Sequence, residues 1–136
     1  MFVKVRVDWF TRLDDVDVFG TDIEPGWHAP DLKSTDDCTP TLFAKSARRW
    51  GYLPQASLYL DAAEALTGEP VHWRWIVATR EPARNGRHGV SVYGLTPEQR
   101  ERGREIYMSQ LLEARERLDS GDWTPAHWRG TTYLPL

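Results

Sequence analysis

The sequence predicts an α/β domain, a mixed central sheet flanked by helices, and three observations carry that expectation. Val71, Trp73, Trp75 and Val77 alternate with His72, Arg74, Ile76 and Ala78, the period of a strand with one face on a core. Roughly Pro54 to Thr67 reads as a helix stopped by Gly68, a residue suited to the left-handed position that ends helices. Thr96-Pro97-Glu98-Gln99 is a capping box with proline just inside a further helix. At 136 residues, 40% apolar and 27% charged, the chain fits a single domain over 1–136 with a real core.

The elements follow in order. Val3, Val5, Val7 and Trp9 alternate with Lys4, Arg6 and Asp8, which predicts a first strand over Phe2 to Phe10 with Asp8 directed away from the core. Asp14, Asp15, Asp17, Asp22 and Glu24 then form a solvated hairpin loop, since they lack the spacing and turn glycine of a calcium loop. Glu24 to Pro30 makes an irregular approach to Asp31, because Pro30 cannot donate to a ladder. Thr39-Pro40 opens a helix to about Trp50, with Leu42, Phe43 and Ala47 inward and Lys45, Arg48 and Arg49 left for solvent or phosphate.

In the next helix Gln55 and Tyr59 share a face. By themselves they read blandly: Tyr59 packs with Ala56, Leu60, Ala63 and Leu66, and Gln55 caps the first turn. The tryptophans of the following strand read as core. A basic turn with Arg80, Arg84, Arg87 and His88 leads to a strand at about Val90 to Tyr93. The last helix carries a stripe of Tyr107, Met108, Leu111, Leu112, Ala114 and Leu118, opposite an outer face laced with Glu and Arg.

The chemistry concentrates in Asp31-Leu32-Lys33-Ser34-Thr35. In a strand, positions 31 and 33 point to one side, so a carboxylate able to hold a divalent cation stands beside an ammonium able to orient water. Asp8 supplies a second carboxylate. Two carboxylates suit Mg²⁺, with Mn²⁺ as the alternative, and a cation so held offsets the charge that makes a phosphodiester resist attack. Lysine supports the charge that develops on the phosphate.

Other classes are excluded by what is missing. Cys38 is the sole cysteine, which rules out an internal disulfide and a cysteine-rich zinc site. The four histidines, at 28, 72, 88 and 127, have no short ligand spacing. A formal charge of −3 argues against a protein that coats nucleic acid, while leaving room for a local basic patch. With no signal peptide or membrane-spanning run, cytoplasm is the expected location and no membrane is expected as partner.

Arg6-Val7-Asp8, then Asp31-Leu32-Lys33-Ser34, then Gln55-Ala56-Ser57-Leu58-Tyr59 resembles the RecB-like and exonuclease VIII (RecE-like) branch of the PD-(D/E)XK nuclease superfamily. There an Arg-x-Asp strand, an Asp-x-Lys-Thr/Ser strand and a Gln-x-x-x-Tyr helix follow one another. The likeness runs on through Glu81-Pro82 to Gly121-Asp122-Trp123 and Tyr133-Leu134-Pro135. The resemblance implies a restriction endonuclease-like core, shortened at its N-terminus because the family's first acidic helix and first strand have no counterpart after Met1. It implies a Mg²⁺-dependent exodeoxyribonuclease of phage or prophage-type recombination, with DNA as partner. Asp8, Asp31, Lys33, Gln55 and Tyr59 would be catalytic, and Asp8 and Asp31 the metal ligands. The alternatives are an inactive remnant or DNA-binding module, or a purely structural α/β domain. A shortened sheet would also favour a homo-oligomer or a covering partner.

Overall fold

The computed structural model describes residues 3–14 and 23–124. Asp15, Asp17, Asp22, His127 and the closing Tyr133-Leu134-Pro135 lie outside the described residues. Four strands make one mixed sheet in the order β1 (Thr11–Leu13), β2 (Gly26–Thr35), β3 (Val71–Thr79), β4 (Val90–Gly94). β1 and β4 run antiparallel to their neighbours, whereas β2 and β3 are parallel over nine paired positions from Trp27↔Val71 to Thr35↔Thr79. A parallel pair needs a crossover, supplied here by α1 (Pro40–Trp50) and α2 (Tyr52–Thr67). α3 (Pro97–Ser120) follows β4.

The alternation read in β3 is realised: Val71, Trp73, Trp75 and Val77 are all buried on the face that α1 and α2 cover. α2 approaches closely because its inner face is small, with Ala56, Ser57 and Ala63 around Leu60. α1 adds Phe43, stacked on Tyr93 of β4 at 4.9 Å and edge-on to Trp75 at 6.0 Å. Burying side chains such as Leu60 and Phe43 contributes about 1.5–3 kcal/mol each. Gly51, at φ 67°, ends α1 and starts α2 in a left-handed conformation that L-residues adopt at a cost.

α3 begins with the anticipated capping box: Gln99 N–H donates to Thr96 Oγ1 and Thr96 N–H to Gln99 Oε1. It lies on α2 through Gly103 and Tyr107. There Arg100 and Arg104 both grip Asp61, Arg100 also holds Glu64, and Tyr107 donates to Asp61. The described helices thus cover one face of the sheet. On the other, Leu32, Val90 and Val92 stand 64%, 62% and 60% exposed.

Four expectations are corrected. The long first strand over Phe2 to Phe10 is not seen: among the described residues pairing is confined to Thr11–Leu13, and residues 3–10 make no ladder pair even though Phe10 stacks on Trp27 of β2. Leu42 is 45% exposed rather than inward, leaving Phe43 as the buried anchor of α1. The approach to Asp31 is regular strand from Gly26 onward. β1 pairs with β2 only as far as His28, so on that side of Pro30 a missing N–H forfeits no ladder bond. Finally, of the α3 stripe only Tyr107 is buried, and Met108, Leu112 and Leu118 are 46–62% exposed.

Candidate active site

Register alone fixes where Asp31 and Lys33 point. They pair with Trp75 and Val77, and side chains at paired positions share a face, so both lie on the helix-covered side. Asp31 is 4% exposed while Leu32, the residue between them, is 64% exposed. This inverts what hydrophobicity would choose.

Lys33 Nζ stands 2.7 Å from Asp31 Oδ2, with side-chain exposures of 15% and 6%. The ammonium is thus set directly against a buried carboxylate oxygen. Burial is the main cause of a raised Asp31 pKa; Lys33 pulls it back down, and the carboxylate of Asp8 pushes it up again. Asp8 therefore reaches Asp31, although it sits at a bend in the irregular segment before β1 rather than on a strand. Lys33 is further held by Tyr52, whose ring centroid is 4.5 Å from Nζ, and by Gln55 Oε1 at 3.5 Å. Both come from the first turns of α2, which Gly51 aims at the end of β2.

The structure brings together Asp8, Asp31, Lys33 and Gln55. Tyr59, one turn further along α2, packs edge-on against Trp73 at 6.2 Å. Trp73 and Trp75 are core, as their strand pattern indicates. Among the described residues no group of three or more His, Cys, Asp or Glu side chains converges on a metal position, and the acids the described site brings together are Asp8 and Asp31. That pair fits an oxygen-seeking cation, since Mg²⁺ is commonly held by one or two carboxylates with water and phosphate completing its shell.

A cavity of about 260 Å³ opens beside Lys33, walled by Lys45, Arg49 and Trp50 of α1, by Asp36 and by Arg80. Lys45 and Arg49 were legible as available cations. Trp50 was missed, and the signal for it was an aromatic beside an arginine at a helix end.

The fold and the site define an α/β domain with a buried acid–lysine centre at the helix-covered end of a parallel strand. No family model and no curated protein matches the chain. Among solved structures it is similar to a protein described as a candidate exonuclease, from Eubacterium rectale, at 16% identity and a TM-score of 0.48. That match covers 79% of this chain and 42% of the other, so the chain spans less than half that protein's length. No helix among the described residues is long and apolar enough to cross a membrane.

Proposed function

We propose that the chain is a metal-dependent deoxyribonuclease domain of the exonuclease type. One observation carries the reading: β2 buries Asp31 beside Lys33 and leaves Leu32 in solvent. Violations of local rules concentrate at functional sites, and the Asp-x-Lys resemblance gives this one a chemistry. Asp8 and Asp31 would hold Mg²⁺, with Mn²⁺ as substitute. The cation's contribution is to neutralise the phosphodiester and favour deprotonation of the attacking water.

Each side chain then has a task. Asp31, fixed by its strand and flanked by Asp8, would offer its carboxylate to the cation in competition with the Lys33 ammonium 2.7 Å away. Lys33 stabilises the charge developing on the phosphate and orients water, and Gln55 and Tyr52 keep the ammonium from swinging away. Tyr59 would support α2 through Trp73. A cytoplasmic role in phage-type DNA recombination rests on the sequence resemblance. A second reading, an inactive nucleic-acid-binding module, is favoured by the Lys33–Asp31 pairing, which already neutralises the buried carboxylate.

Incubating the purified chain with linear DNA and Mg²⁺ separates the two. Nucleotide release that disappears in Asp31→Asn supports the enzyme. Binding without release, or release unchanged in Asp31→Asn, refutes it.

A further inference from the structure

The cavity beside Lys33 has a chemistry of its own. Lys33, Lys45, Arg49 and Arg80 line it against a single carboxylate, Asp36, in a chain whose formal charge is −3. Two of the cations are committed: Lys33 to Asp31, and Arg80 to Asp36 through its Nε at 3.0 Å. Lys45 and Arg49 form no ion pair among the described residues, and both are exposed. They stand four apart on α1, on one face. Trp50 adjoins them, 64% exposed, with the Arg49 guanidinium 5.0 Å from its ring centroid. Ser34, Thr35 and Ser46 add hydroxyls to the same wall.

We propose that this cavity is a subsite for single-stranded DNA, holding the phosphate next to the one at Asp8 and Asp31 while Trp50 stacks on an unpaired base. The inference rests on the nuclease reading for its place along the strand, but its ligand chemistry stands on the cavity alone. Two cations with no ion-pair partner among the described residues select a phosphate. The ring selects strandedness, because inside a duplex both faces of each base are covered by neighbours, whereas an unpaired base offers one to an aromatic side chain. Lys33 belongs to both sites and sets them side by side, so a strand running from one into the other passes over the ammonium. The full chain would therefore prefer single-stranded DNA, or an end whose strands have frayed, over a blunt duplex.

The test is binding without turnover. Fluorescence anisotropy of a labelled short oligothymidylate, with EDTA present, is measured for the wild type, Trp50→Ala and Lys45→Ala, alongside a blunt duplex and an oligomer abasic at every position. Both substituted side chains are exposed, and circular dichroism checks that the fold is unchanged. Trp50→Ala should weaken single-strand binding about ten-fold and leave abasic binding unaltered. Lys45→Ala should weaken all three ligands and lower the single-strand salt dependence by roughly 0.7 in the log–log slope. Equal single-strand affinity for Trp50→Ala and wild type, or tighter binding of blunt duplex than of single strand, would overturn the proposal. Oligonucleotide binding of this pattern with no Mg²⁺-dependent cleavage would sink the nuclease reading and leave the subsite standing. Cleavage with Trp50-independent binding would do the reverse.

Discussion

Gly103 of α3 crosses Ser57 of α2 so closely that a Cβ on the glycine would sit 2.1 Å from Ser57 Oγ and 2.6 Å from the Leu53 carbonyl oxygen. The Ser57 hydroxyl is fully buried at that crossing, placed to donate to Arg100 O at 2.9 Å or Leu53 O at 3.1 Å. Alanine would gain about 1 kcal/mol of helix propensity at position 103, but it must push backbone as well as side chain aside, and overpacking costs about 1–3 kcal/mol or more. Gly103→Ala should therefore lower the urea midpoint despite its better propensity. A midpoint equal to or above wild type would mean that the two helices do not cross here.

The charge cluster beneath that crossing makes a pH prediction. Asp61 has a lowered pKa: burial would raise it, but hydrogen bonds from Arg104, Tyr107 and Arg100 outweigh burial. A carboxylate depressed in the folded state adds stability above its unfolded pKa and loses it as pH falls toward the folded value. Wild type should thus destabilise progressively below about pH 4, and Asp61→Asn should show a shallower loss over the same window. At pH 7 the substitution should cost on the order of 2 kcal/mol, less than a fully buried pair because the side chains remain partly exposed. Thermal melts across pH measure both effects.

Asp31 has the opposite sign. Its pKa is raised, chiefly by burial, so its contribution is most favourable below the unfolded value and is lost as pH rises through the folded one. Lys33→Ala removes the group that holds this pKa down. Its loss of stability should be larger at pH 7 than at pH 4, reaching on the order of 3 kcal/mol at neutral pH. Adding Asp31→Asn to Lys33→Ala should recover most of the loss. A deficit independent of pH would show that Lys33 acts through packing on Tyr52 instead.

The open sheet face predicts association. Leu32, Val90 and Val92 lie on the side that no described helix covers, and a contiguous apolar patch invites self-contact. Val92→Lys combined with Leu32→Lys should reduce binding of a hydrophobic dye and concentration-dependent light scattering, with little change in melting temperature. Unchanged scattering would locate the sticky surface elsewhere, for example on the exposed end of α3.

How far the sequence could be read depended on whether a residue's neighbours were also in its own segment. Helices and strands from Pro40 onward were legible because caps, glycine stops and alternation are local signals. Asp31 and Lys33 were legible as a pair because two residues on one strand share a side. Asp8 was legible as a candidate, but its path was not: Val3, Val5 and Val7 alternate as a strand does, yet residues 3–10 make no ladder pair among the described residues. Pro30 misled for a similar reason, since proline's cost depends on which edge is paired. The α3 stripe exceeded its support because a helix of 24 residues lies on one of 16, and the overhang of about 12 Å has nothing described to cover it.

The inverted burial along β2 also bears on conformational specificity. Sliding the strand by one position would exchange its two faces, carrying Leu32 under the helices and releasing Asp31 and Lys33 to water. Leucine burial would favour that slip by about 1.5–3 kcal/mol, and desolvation of Asp31 would be relieved with it. The native alignment must be locked from outside the site. Ala29, at 0% exposure in the core cluster, fills a place that Pro30 or His28 would overfill, and Trp27 is pinned by its stack on Phe10 at 4.8 Å. Those two residues act as register pins, so enlarging Ala29 or truncating Phe10 should produce a chain that keeps its secondary structure while mixing aligned and slipped populations.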